Sequence, residues 1–175
     1  NKNRKTKYSL ITVKKGNMLV NIDSQIPNYV VKEALENKVI KQLNDLTFIK
    51  QEVKYKNSRF DIYFERENNI KGFIEIKGVT LEENGIVRFP DAPSERAIKH
   101  INELIEAKKE GYETYIIFVI QLKNVKYFEP NKKMHYVFYE TLKNAKNNGI
   151  HILAYDCFID IDEIVLKDSV KVLIQ

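Results

Sequence analysis

Arg59-Phe60-Asp61-Ile62-Tyr63-Phe64, then Gly72-Phe73-Ile74-Glu75-Ile76-Lys77 across a turn at Glu67-Asn68-Asn69, reads as a β-hairpin. Strand alternation sets Phe60, Ile62 and Phe64 on one face and Asp61 on the other. In the second strand it sets Ile74 and Ile76 together, with Glu75 and Lys77 sharing the opposite face. A turn about Asn68 brings Glu65 opposite Lys71, Tyr63 opposite Phe73, and Asp61 opposite Glu75. The first pair is favourable; the last is a like-charge clash unless a cation sits between the two. Two carboxylates plus retained waters are what Mg²⁺ takes. Lys77 beside them supplies a charge that acidifies an attacking water or clamps a phosphate. Together these parts make the layout of metal-assisted phosphodiester hydrolysis.

Glu-x-Lys by itself says little, because the chain contains it at 36–38, 52–54, 75–77 and 106–108. Only the third follows an Asp-bearing strand at hairpin distance. Without a metal, the same residues describe a half-exposed hairpin with solvated charges.

Around this hairpin the pattern is mixed. Residues 7–23 read as a hairpin of Tyr8–Val13 and Met18–Asp23 about Lys15-Gly16-Asn17. Pro27 with Val30, Val31, Ala34 and Leu35 indicates a helix over 27–37. Phe48–Tyr55 is a further strand. Asp91 suits an N-cap for a helix over 92–110, closed by Gly111. Thr114–Ile120 is a strand buried on both faces. A second long helix is expected over 132–148, ending at Gly149, followed by strands at Ile150–Tyr155, Ile161–Leu166 and Val170–Ile174. The fold class is α/β, a mixed β-sheet flanked by helices.

At 175 residues and 43% hydrophobic, the chain has the size and apolar content of one domain with a packed core. One cysteine, Cys157, excludes a disulfide scaffold and suits the cytoplasm. Three histidines and that cysteine, widely spaced, exclude a structural zinc site. The longest apolar run is far too short for a membrane span, and no leader pattern opens the chain. Its first residue is Asn1 rather than Met, as in a processed or trimmed chain. Lys2, Arg4, Lys5, Lys7, Lys14 and Lys15 exceed the net charge of +5, leaving residues 16–175 at −1. The charge thus describes a basic N-terminal arm, not a uniformly basic nucleic-acid binder.

Val79-Thr80-Leu81, Phe89-Pro90-Asp91-Ala92 and Ser94-Glu95-Arg96-Ala97-Ile98-Lys99-His100 resemble the sugar fermentation stimulation (SfsA) family. So do Ser58-Arg59-Phe60-Asp61, the run from Glu75 to Leu81, Phe118-Val119-Ile120-Gln121, Leu153-Ala154-Tyr155, and Pro27-Asn28 with Glu33-Ala34-Leu35. The resemblance covers about residues 8–175. Ala97 and Ile98 depart from it, standing where members commonly show Gly and a polar residue.

The resemblance implies a PD-(D/E)xK, restriction-endonuclease-like core over 24–175. Residues 1–23 would be a remnant β-hairpin of an N-terminal OB-like domain that is largely absent. It implies DNA as partner and a link to sugar use. By position, Asp61, Glu75 and Lys77 resemble the catalytic triad of that nuclease fold. Glu33 resembles its extra helix carboxylate, and Gln121 a polar residue beside the site. Asp61, Glu75 and Glu33 would then hold Mg²⁺ (or Mn²⁺), while Arg59, Arg96, Lys99 and His100 position the nucleic acid.

Each has a plainer counterpart: Glu33 as a solvated charge, and Arg96, Lys99 and His100 as a polar helix face. Two functions are therefore carried forward. One is a DNA-binding protein with a Mg²⁺-dependent phosphodiesterase site. The other is a DNA-binding regulator of sugar metabolism that keeps the nuclease scaffold without turnover. A small phosphorylated substrate is a weaker third, and a homodimer is left open.

Overall fold

A computed structural model describes residues 8–175. The basic cluster Lys2 to Lys7, and with it the first residue of the expected 7–23 hairpin, lies outside the described residues.

The centre is a six-stranded mixed sheet of β3 (Leu46–Tyr55), β4 (Ser58–Arg66), β5 (Lys71–Val79), β8 (Glu113–Ile120), β10 (His151–Ile159) and β11 (Ile164–Ser169), in the order β11-β10-β8-β5-β4-β3. β5, β8 and β10 run parallel, and β3, β4 and β11 add antiparallel edges. A small sheet joins β6 (Leu81–Glu83), β7 (Ile86–Phe89) and β9 (Tyr127–Pro130), and β1 (Thr12–Lys15) pairs with β2 (Met18–Asn21). Among the described residues there are three α-helices, α1 (Ile26–Glu36), α2 (Glu95–Lys109) and α3 (Tyr136–Asn147), and a 3-10 turn at Lys41–Leu43.

β8 shows why the sheet sits between helices. Its Ile116, Phe118 and Ile120 join a core with Ala97, Ile101 and Leu104 of α2 and Phe138, Leu142 and Ala145 of α3. Its Tyr115, Ile117 and Val119 join a second core with Val30, Val31, Ala34 and Leu35 of α1. An all-apolar β-branched and aromatic strand can satisfy both faces only this way. The helices thus form a layer on each side of the sheet.

Several boundaries differ from the sequence expectation. The first strand of the N-terminal hairpin starts at Thr12 rather than Tyr8, although Gly16 makes the turn with φ +60°. Ser94, not Asp91, caps α2, its hydroxyl accepting Ala97 N–H at 3.2 Å. Pro93 explains the shift, since the residue before a proline avoids the helical region. α3 starts at Tyr136 rather than 132, because Asn131 builds a turn of its own: its carbonyl accepts His135 N–H at 2.9 Å. Its amide donates to Pro90 O at 3.0 Å. The last strand runs from Ile164 to Ser169, and of 170–174 only Val172 makes a bridge, to Phe128. β6, β7 and β9 were not expected.

One correction bears on the site. Phe60 packs with Tyr55 and Phe73 on the α2 side, while Ile62 and Phe64 belong to the α1-side core. The three phenylalanine and isoleucine side chains therefore do not share a face. The β3–β4 ladder passes from Gln51↔Ile62 to Val53↔Phe60 without pairing Glu52 and Asp61, and Glu52 has φ +53°. The alternation is reset at Asp61.

Candidate active site

The β4–β5 register is the expected one: Glu65↔Lys71, Tyr63↔Phe73 and Ile62↔Ile74 are paired. The ladder then ends, and the strands part at the level of Asp61. In place of the next rung, Asp61 Oδ2 accepts Ile76 N–H at 2.7 Å. Its Oδ1 accepts Asn28 Nδ2 of α1 at 3.0 Å. Asp61 thus closes the gap it creates, joining β4, β5 and α1.

Glu75 lies on β5 beside Ile116 of β8 and is only 2% exposed. Its Oε1 takes two donors, Lys77 Nζ at 2.5 Å and His100 Nδ1 of α2. Its Oε2 is buried with no hydrogen-bond partner among the described residues. Burial works to raise the Glu75 carboxyl, but the His100 hydrogen bond and the Lys77 and His100 charges outweigh it and hold the carboxyl below its ordinary range. Asp61 goes the other way: burial, then the neighbouring Glu75 charge, push it from its ordinary 3.8 to about 6.

The structure therefore joins Asp61, Glu75, Lys77 and His100 and adds Asn28, which the sequence places in a resembling segment without a role at the site. Glu33 is on the exposed side of α1, and among the described residues no side-chain hydrogen bond or ion pair ties it to the site. Gln121 is buried at the end of β8, but its Nε2 is spent on Asn21 Oδ1 and Asp23 O, both at 3.0 Å. Here it fastens the N-terminal hairpin to the sheet. Gly78, next to Lys77, has to be a glycine, since a Cβ there would press on Gln121 Oε1 and meet Pro27 Cγ at 2.9 Å.

Does this set fit a divalent cation? A buried carboxylate oxygen without a donor lacks the partner that such groups nearly always have. A second carboxylate stands close enough to repel it. Among the described residues no three Asp, Glu, His or Cys side chains form a metal-holding group. The donors thus fit a two-carboxylate Mg²⁺ site that keeps several waters, and not an all-protein cage.

Beside the site is an open cleft of about 910 Å³ between α2 and the β3–β4 turn. Lys54, Arg59, Arg96 and Lys99 line it, as do His100, Asn57, Ser58, Glu95 and Glu103. Lys54 and Arg59 sit directly opposite each other in the ladder. That like-charge pair is the signal through which Lys54 was legible in the sequence. Arg59 is held by Glu52 at 3.2 Å, and Lys99 Nζ donates to Asn57 O at 3.1 Å. His100 belongs to both places: 6% exposed, it forms cleft wall while its Nδ1 reaches Glu75. Its burial sets it apart from the solvated polar helix face that was its plainer reading.

Comparison with known proteins follows the same outline. The domain described as "Sugar fermentation stimulation protein RE domain" matches residues 25–163. A sugar fermentation stimulation protein homolog of Clostridium beijerinckii is 55% identical over 175 residues, 99% of this chain and 76% of that protein. One from Alkaliphilus oremlandii is 50% identical over 175 residues, 98% of this chain and 74% of that one. The structure of Pyrococcus furiosus SfsA in complex with Ca²⁺ superposes with a TM-score of 0.90 at 30% identity, over 98% of this chain and 74% of that one.

Proposed function

The chain belongs to the sugar fermentation stimulation protein family, and from that premise we propose that it is a cytoplasmic DNA-binding protein with a Mg²⁺-dependent phosphodiesterase site at Asp61, Glu75 and Lys77. In this reading the central sheet is a PD-(D/E)xK core, and β1–β2 is the remnant of an OB-like domain. The observation that carries it is the Glu75 carboxylate, held by two donors on Oε1 while the buried Oε2 has none. Lining of the adjoining cleft by four cations supports a polyanionic substrate. A relative of the same fold is described in complex with Ca²⁺, a hard cation of the class that carboxylates hold.

Asp61 and Glu75 would hold the ion, and Mn²⁺ would serve in place of Mg²⁺. When bound, it supplies Lewis acidity and lowers the pKa of a water. Asn28 and the Ile76 amide keep Asp61 aimed inward. Lys77 exchanges its hold on Glu75 Oε1 for the scissile phosphate, and Arg96 and Lys99 keep the strand in the cleft.

A second reading, a DNA-binding regulator without turnover, has its own support. Both Asp61 oxygens and Glu75 Oε1 are already satisfied by the chain's own donors, so the scaffold stands without an ion. Cleavage of labelled single- and double-stranded DNA in Mg²⁺, Mn²⁺ or EDTA, with Glu75→Ala as control, separates the two. The nuclease reading expects metal-dependent cutting that disappears in the variant. Cutting that survives Glu75→Ala overturns the residue assignment, and no cutting alongside intact DNA binding favours the regulator.

A further inference from the structure

We propose that His100 is a positioning residue: it ties down Glu75 Oε1 so that Oε2 is the oxygen presented to a divalent cation. This rests on the reading of Asp61 and Glu75 as a cation site and assigns the device that aims one of its ligands.

Three observations carry it. First, the donors around Glu75 are one-sided. His100 Nδ1 and Lys77 Nζ both meet Oε1, and the buried Oε2 has no hydrogen-bond partner among the described residues. A carboxylate buried for stability alone gains by sharing its donors over both oxygens, because an unpaired buried acceptor gives up hydration for no return. Second, the two tethers differ in kind. Lys77 is on the same strand, at the end of a flexible stem, and is the group that phosphodiester chemistry needs to release. The imidazole is rigid and fixed in α2, 25 residues away in sequence. Third, the ring occupies a place on the buried face of α2, among Ala97, Ile101 and Leu104. An apolar side chain there would pack without reaching Glu75. His100 is therefore the tether that persists when Lys77 turns away, the role that partners outside the coordination shell play in metal sites.

The test is calorimetric titration of the full chain with Mn²⁺, comparing His100→Leu, His100→Gln, His100→Asn and Glu75→Ala. The Asn amide N–H stands where Nδ1–H stands, whereas the Gln amide is displaced by one methylene. The proposal expects Mn²⁺ binding to weaken about 10- to 100-fold in His100→Leu and His100→Gln, to recover most of that loss in His100→Asn, and to vanish in Glu75→Ala. Thermal unfolding in EDTA shows which variants are folded at the titration temperature; if His100→Leu is not, the Asn–Gln comparison decides. Wild-type affinity in the folded Leu or Gln variants, with Glu75→Ala silent, overturns the proposal and leaves the cation site standing. So does equal weakening in Asn and Gln. Absence of Mn²⁺ binding by the wild type overturns both.

Discussion

Asp61 and Glu75 repel each other from neighbouring strands, and the groups around them decide which keeps its charge. Glu75 is paired with Lys77 and His100 and stays ionised despite deeper burial. Asp61 has only neutral donors, Asn28 Nδ2 and Ile76 N–H, and takes the consequence of burial and of the Glu75 charge. A cation bound between such an unequal carboxylate pair would offset their repulsion.

The first prediction is a pH dependence of the metal-free protein. The Asp61 carboxyl is raised in the folded state, from 3.8 to about 6. A raised group favours folding while protonated, so its contribution is complete below about pH 4 and is lost as pH rises through about 6. The loss is on the order of 2–3 kcal/mol. Denaturant midpoints in EDTA should therefore fall across that window in the wild type and change less in Asp61→Asn. At pH 7, Asp61→Asn should be the more stable protein without metal. A profile unaltered by the substitution would show that Asp61 is ionised at its ordinary pKa.

Mg²⁺ or Mn²⁺ should reverse that ranking. Stabilisation by a bound ion grows with its concentration over Kd, so wild-type Tm should climb with millimolar Mn²⁺ at pH 7 and hardly move at pH 5. Asp61→Asn should respond at neither pH. Differential scanning fluorimetry across both pH values is sufficient.

Gln121 yields a prediction about structure instead of chemistry. Its Nε2 serves Asn21 Oδ1 and Asp23 O, and its carbonyl accepts Asn21 N–H at 3.0 Å. Gln121→Leu strands the Asp23 carbonyl and leaves Asn21 Oδ1 with the Asp23 N–H alone, and should destabilise the protein by about 2 kcal/mol. Proteolysis should then begin around β1–β2, while Mn²⁺ affinity changes little. Loss of Mn²⁺ binding in a variant that resists protease would return Gln121 to the site itself.

The fold was legible where one physical signal dominated. β8 declared itself by seven consecutive apolar or β-branched residues, and the β4–β5 register followed from placing the turn at Asn68. The β6–β7 hairpin was also written in the sequence, as Asn84-Gly85 between two short strands. Both turn residues have positive φ, 56° and 82°, the favoured hairpin chemistry; the flanking strands were simply too short to stand out. The reset at Asp61 was hidden, because it depends on the backbone of Glu52 on another strand. Asn28 and the inward turn of His100 were hidden for a similar reason. A residue's spacing gives its helix face, but the partner across the layer is set by how α1 and α2 sit on the sheet. Of the site, the pair of carboxylates was local and readable, and what holds them was not.

The last prediction concerns the cleft. DNA affinity that rests on phosphate contacts falls with salt, with a slope of about 0.9 per neutralised phosphate on a duplex and about 0.7 on a single strand. The four cations are not equally free to contribute. Lys54 and Arg96 have no ion-pair partner among the described residues, whereas Arg59 is engaged by Glu52, and Lys99 by Asn57 O and, at 4.0 Å, Glu103. Lys54→Ala and Arg96→Ala should therefore each lower the slope by nearly one contact, and Arg59→Ala by less. Glu52→Ala should do the opposite and tighten binding at low salt, since it releases Arg59. Fluorescence anisotropy with the protein in EDTA, over about 50 to 200 mM salt, reads all four without involving the carboxylates. Unchanged slopes in Lys54→Ala and Arg96→Ala would place the nucleic acid elsewhere on the surface.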